Sequence, residues 1–268
     1  MLECRVTYLQ SVVLGVVQGL TEFIPVSSSG HLILAPRLFG WPDQGLAFDA
    51  AVHLGTLAAL VAYFRAELIG LISGALPRRV LVLLALATVP AGAVGYLLGP
   101  FIEAQLRSPL LVAASTAFWA LVMAVADRSA RPGVATPDDP IARVGTGQAL
   151  LVGAAQALAL VPGTSRSGIT ITAGLFGGLD RPTAARFSFL LGIPITAAAG
   201  SLKTLGLLRT GLPPEHAGPL LAAVLAAFLS GWAAVWFLVT YLRRRSLTPF
   251  VVYRLVLAVL IAAVFLAA

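Results

Sequence analysis

Six mainly apolar stretches, at residues 46–64, 80–98, 110–126, 183–208, 220–242 and 250–267, dominate the chain. Each is close to the roughly 20 residues that a helix needs to cross the hydrocarbon layer of a bilayer. A helix also satisfies its own backbone hydrogen bonds there, where no water can. The expected fold is an all-α integral membrane protein with six transmembrane helices.

The composition agrees. Of 268 residues, 59% are hydrophobic and only 11% are charged, against about 25% charged in soluble domains. So little polar surface excludes a cytosolic enzyme, a disordered regulator and a DNA-binding domain. The net charge of +7 does not restore a nucleic-acid partner. Seventeen of the eighteen basic residues are Arg, mostly in short loops between apolar runs, as cytoplasmic loops of membrane proteins require. The single cysteine, Cys4, excludes a disulfide framework and a multi-cysteine metal site. The first apolar segment carries Gln10 and Gln18, and no small-residue cleavage site follows it, so no cleavable signal peptide is expected.

Two further apolar regions, 6–38 and 147–175, are each cut by a polar loop: Ile24-Pro25-Val26-Ser27-Ser28-Ser29-Gly30-His31, and Val161-Pro162-Gly163-Thr164-Ser165-Arg166-Ser167-Gly168. The halves on either side are about 10 to 15 residues, too short to span and suited to re-entrant hairpins. The two regions also match each other. At a fixed offset of 138, Gly15 meets Gly153, Gln18 meets Gln156, Ser27 meets Ser165, Ser28 meets Arg166, Ser29 meets Ser167 and Gly30 meets Gly168. Pro25 and Pro162 fall one place out of step.

The chain therefore reads as two repeats, 1–135 and 136–268, each a broken hairpin followed by three spans. Three is odd, so the repeats enter the membrane from opposite sides, an inverted topology with its site between them. With both ends of the first hairpin on one side, eleven arginines from Arg65 to Arg245 fall on the other. Five basic residues (Arg5, Arg37, Arg107, Lys203, Arg209) remain on the hairpin's side, which is then the outer one.

Glu22 lies deep in an apolar run, and Gln18 is four residues before it on the same helical face. A charge at the centre of a membrane helix costs about 2.5–3.5 kcal/mol on insertion scales, so Glu22 needs a partner or a wet cavity. Arg166, in the other loop, carries the opposite sign and the same burden. The expectation is one polar pocket shared by the two tips. Ser and Gly suit the N-caps of the returning half-helices, whose N–H groups would then face the pocket. With Arg166 and the hydroxyls of Ser27, Ser165 and Ser167 they make an anion site, and phosphate suits it best. Thr170, four after Arg166, is placed at the same phosphate. Ser28 is the candidate nucleophile, with Glu22 and His31 as acid and base. Asp49 and His53 are either supporting partners or a helix-start pair. Arg254, about one turn inside the last span, is expected to snorkel to the interface.

The run Gln18-Gly19-Leu20-Thr21-Glu22-Phe23-Ile24-Pro25-Val26-Ser27-Ser28-Ser29-Gly30-His31, together with Pro162-Gly163-Thr164-Ser165-Arg166-Ser167-Gly168, resembles the undecaprenyl-diphosphate phosphatase family of the bacitracin-resistance type. The resemblance covers essentially the whole chain. It implies removal of the terminal phosphate of undecaprenyl diphosphate, recycling of the lipid carrier for peptidoglycan, and tolerance of bacitracin. The family's functional positions correspond to Glu22, Ser28, His31, Ser165, Arg166 and Thr170. A divalent cation, Mg or Ca, is expected to assist. The family's first motif often has two carboxylates four apart; Gln18, an accepted alternative, leaves Glu22 alone, so the metal ligands stay unknown.

The resemblance further implies the bacterial inner membrane, with a polyprenyl diphosphate and membrane lipids as partners; a homodimer is left open. The rival of another class is a transporter or flippase on the same inverted repeat. Type-2 phosphatidic acid phosphatases share only Ser29-Gly30-His31. Seven places before Arg131-Pro132 and Arg181-Pro182 stand Ala124 and Gly174, where that family needs a basic residue.

Overall fold

The computed structural model describes residues 7–41, 45–130, 140–210 and 214–266. Thr7 opens the first helix with a capping box: its Oγ1 accepts from Gln10 N–H at 3.2 Å, and Gln10 Oε1 accepts from Thr7 N–H at 2.9 Å. Helix α1 (Tyr8–Phe23) ends just before Pro25, which cannot continue it. After the serine loop comes α2 (Ser28–Phe39). The second interrupted region repeats this arrangement as α7 (Thr146–Leu158) and α8 (Arg166–Phe176). The four helices have 16, 12, 13 and 11 residues, so none has the length of a full span.

The long apolar runs form α3 (Gly45–Tyr63), α5 (Arg78–Gln105), α6 (Pro109–Arg128), α9 (Arg181–Thr210), α10 (Pro214–Tyr241) and α11 (Thr248–Leu266). Five of these qualify as spans by length and hydropathy. The sixth qualifies when α3 is joined to α4 (Arg65–Ser73), which bends away from it by 66°. That bend was not expected from sequence. A short 3-10 turn, Pro140–Arg143, precedes α7.

The exterior of the spans is as apolar as the interior. Leu81, Val82 and Val89 of α5, Leu221, Leu225 and Leu229 of α10, and Val252, Val256 and Val259 of α11 are all exposed. A helix that is apolar all round suits lipid rather than water. The protein is an all-α, multi-pass membrane protein.

Close approaches of backbone fix where the short helices sit. A Cβ added to Gly15 of α1 would lie 2.5 Å from Ala223 O of α10, and one on Gly19 would lie 2.6 Å from Ala227 O. Gly153 of α7 packs on α5 in the same way: its Cβ would lie 2.6 Å from Ala87 Cα. The leading helix of each hairpin thus packs on a span from the other half of the chain. At one end of the bundle, Arg181 Nε donates to Asp127 Oδ1 at 2.6 Å, Leu247 N–H donates to Asp127 Oδ2 at 3.0 Å, and Arg186 donates to Glu67 at 2.6 Å. These bonds bring α4, α6, α9 and the start of α11 together at the arginine-rich end.

Candidate active site

Ser27 and Ser165 are the two non-glycine residues with positive φ among the described residues, at 74° and 71°. Such backbone is strained for a side-chain-bearing residue. The pair is also a matched pair in the sequence, and each stands directly before a helix start. Their hydroxyls repeat one contact: Ser27 Oγ lies 3.2 Å from Ser29 Oγ, and Ser165 Oγ lies 3.4 Å from Ser167 Oγ. Ser165 Oγ also accepts from Gly168 N–H at 3.2 Å, capping α8. The tips touch, because Gly163 N–H donates to Ser29 Oγ at 3.0 Å.

Across this contact the carboxylate of Glu22 meets the guanidinium of Arg166. Arg166 Nη2 donates to Glu22 Oε1 at 3.1 Å, with the side chains only 13% and 10% exposed. Glu22 Oε2 accepts from Ser28 Oγ at 3.2 Å and from Gln18 Nε2 at 3.1 Å. His53 Nε2 stands 3.9 Å from the same oxygen and 3.3 Å from Gln18 Nε2. Glu22 and Arg166 line a half-open cavity of about 210 Å³, together with His53, Gln156, Thr196 and the apolar Ala91, Ala159, Leu160 and Ile195. One face of α9 backs the site. Ser188 O accepts from Arg166 Nη1 at 3.4 Å, a side chain at Gly192 would collide with the guanidinium, and Thr196 and Gly200 line the cavity. Spacings of four residues put these positions on one side of the helix.

The expected residues separate into two groups. Gln18, Glu22, Ser28 and Arg166 are brought together. Ser27, Ser167 and Thr170 are fully buried in the tips. Thr170 Oγ1 is engaged by Arg166 O at 2.7 Å and Ser188 Oγ at 2.6 Å, so it joins α8 to α9. Among the described residues His31 makes no hydrogen bond or ion pair with Glu22. Its Nδ1–H donates back to Ser27 O at 2.7 Å, which leaves Nε2 to accept from Tyr253 O–H at 2.6 Å. The two rings stack at 5.6 Å.

Arg254 corrects the sequence reading. It does not snorkel; it is 0% exposed. Its Nη2 donates to Gly163 O at 3.0 Å and Thr164 O at 2.9 Å, and its Nε donates to Thr116 O at 3.3 Å. The carbonyls of the second tip solvate the charge better than the interface could, and in return the charge holds the loop.

For the cation, the donor set is incomplete by itself. Among the described residues no group of three His, Cys, Asp or Glu could hold a metal. The side chain of Asp49, paired with His53 in the sequence analysis, lies outside the described residues. Gln18 Oε1 is buried without a partner, while Nε2 of the same amide donates to Glu22. Gln18 and Glu22 fit a cation that takes its remaining oxygens from a bound phosphate, as Mg²⁺ commonly does.

Comparison with known proteins decides the family. Residues 11–260 match the description "Bacitracin resistance protein BacA". The chain belongs to the BacA family. Undecaprenyl-diphosphatase 2 of Stutzerimonas stutzeri is 47% identical over 267 residues, covering 96% of this chain and 98% of the relative. The undecaprenyl-diphosphatase of Alcanivorax borkumensis is 45% identical, covering 94% and 97%. That of Hahella chejuensis is 44% identical, covering 94% and 96%. In this BacA-family chain the residues that the sequence did not place at the site are Gln156, Ser188, Gly192, Thr196 and Tyr253, while His53, read as a supporting partner or one of a helix-start pair, stands beside Glu22. For Gln156 a signal existed: it is the repeat partner of Gln18.

Proposed function

We propose that this chain hydrolyses undecaprenyl diphosphate to undecaprenyl phosphate and inorganic phosphate. This returns the lipid carrier to cell-wall synthesis and lowers sensitivity to bacitracin. The observation that carries the reading is the carboxylate of Glu22, which accepts from both Ser28 and Arg166 and lines one cavity with Arg166, in a BacA-family chain. The diphosphate enters the polar side of the cavity while the prenyl chain stays in lipid. Arg166 shifts from Glu22 toward the phosphoryl oxygens and stabilises the charge that spreads over them in the transition state.

Glu22, released from Arg166, takes the proton of Ser28 Oγ. The oxygen forms a bond to the terminal phosphorus, and the bond from that phosphorus to the bridging oxygen breaks. The lipid monophosphate departs, and water then cleaves the phosphoserine. A divalent cation held by Glu22, Gln18 and the substrate would add positive charge at the leaving oxygen. Attack by water directly, with Glu22 as the base, is the competing order of events. His31 supports the first tip through Ser27 and Tyr253.

The outward-facing cavity in the bacterial inner membrane is supported by the eleven-to-five distribution of basic residues and by the Asp127–Arg181 and Glu67–Arg186 pairs at one end. The division into inverted repeats at 1–135 and 136–268 is supported by the matched Ser27 and Ser165 backbones and by the crosswise packing of α1 on α10 and α7 on α5. The test is phosphate release from farnesyl or undecaprenyl diphosphate by purified protein in detergent. A protein that binds the lipid and releases no phosphate would be a carrier, and the proposal would be withdrawn.

A further inference from the structure

Gln156 is 1% exposed, lines the cavity with Glu22 and Arg166, and has a hydrogen-bond partner at neither end of its amide. Among the described residues no other side-chain amide is orphaned at both ends. Gln18, its repeat partner, spends its Nε2 on Glu22; the position matching Glu22 in the second half is Leu160. Gln156 therefore has no carboxylate to serve. A buried amide without partners destabilises the resting protein, and at a cavity wall such a group points to a ligand.

Phosphoryl oxygens are acceptors, and the amide supplies two N–H donors without another buried charge. Arg166 supplies a single positive charge, and a diphosphate carries more than one negative charge. Gln156 stands on α7 just before Ala159 and Leu160, which line the same cavity, and opposite Ala91 of α5. Its neighbours along this wall are apolar, which suits the end of the diphosphate that carries the lipid chain.

We infer that Gln156 binds the phosphate that stays on the lipid, donating from Nε2 to its oxygens while Oε1 takes a water. The inference rests on the phosphatase reading above and assigns a substrate contact to it.

The experiment uses Gln156→Leu and Gln156→Ala with farnesyl diphosphate in detergent. Wild-type protein that releases no phosphate would overturn the phosphatase reading itself. With active wild type, Gln156→Leu should raise KM about tenfold to a hundredfold, the worth of a hydrogen bond to a charged group, with little change in kcat. Its thermal midpoint should equal or exceed that of wild type, since the buried orphans are gone. Inhibition by farnesyl phosphate should weaken by the same factor as KM rises, while inhibition by inorganic phosphate stays unchanged. Gln156→Ala should repeat the KM effect where Leu fits poorly. An unchanged KM in both variants, or weakened inhibition by inorganic phosphate alone, overturns the assignment; so does a fall in midpoint with KM intact, which marks a structural amide.

Discussion

The carboxylate of Glu22 and the guanidinium of Arg166 lie 3.1 Å apart and 144 residues apart in sequence, joining two hairpin tips inside an apolar bundle. Each charge justifies the burial of the other, and both line a cavity. An ion pair with only a structural role would not need an opening.

Removing either partner leaves the other buried without compensation, a loss of about 3–5 kcal/mol where no water reaches. Because this site opens to a cavity, the penalty for Glu22→Gln should be smaller than for Arg166→Ala. Both should lose phosphate release by about a hundredfold or more. Turnover assays on material checked for monodispersity in detergent measure this, and full activity in either variant removes that residue from the site.

Ser28 separates the two orders of attack. If its oxygen forms the bond to phosphorus, Ser28→Ala should fall to near background, and rapid quenching with labelled substrate should trap phosphate on Ser28 in wild type. Near-normal turnover of Ser28→Ala leaves direct attack by water.

Gly192 provides a lever on Arg166 alone. A methyl group there would run into the guanidinium, while Ala in a helix is favoured over Gly by about 1 kcal/mol. Gly192→Ala should therefore hold or raise the thermal midpoint and lower kcat/KM by roughly tenfold, about 1.4 kcal/mol of transition-state binding. Equal kcat/KM would mean that Arg166 can adjust freely.

Arg254→Met keeps much of the volume but removes the charge-assisted bonds to the carbonyls of Thr116, Gly163 and Thr164, of which Gly163 O keeps the Thr116 hydroxyl at 3.2 Å. Two or three lost charge-assisted bonds predict a destabilisation of about 2–4 kcal/mol, seen as a lower midpoint in detergent. Arg254→Lys should recover part of it, since an ammonium can reach fewer of these carbonyls. Retained stability in Arg254→Met would show that the second tip holds its shape without the clamp.

The cost of a charge in lipid made Glu22 and Arg166 readable as partners from the sequence, and length alone located the spans and the two short-helix pairs. Directions of side chains were not readable. His31 and Glu22 are nine residues apart around one loop, yet the imidazole turns to Tyr253, a residue 222 positions away. Arg254 looked one turn from the interface; two of its three acceptors belong to a loop 90 and 91 residues upstream, and the third is Thr116 O of α6. The bend after Tyr63 has no proline to announce it, and the repeat revealed Gln156 without revealing the cavity it faces.

The loop that presents Arg166 is held by a side chain 91 residues downstream of Gly163. On a ribosome, the second hairpin is inserted long before that guanidinium emerges. The clamp on that loop therefore closes only once α11 has been made and has docked.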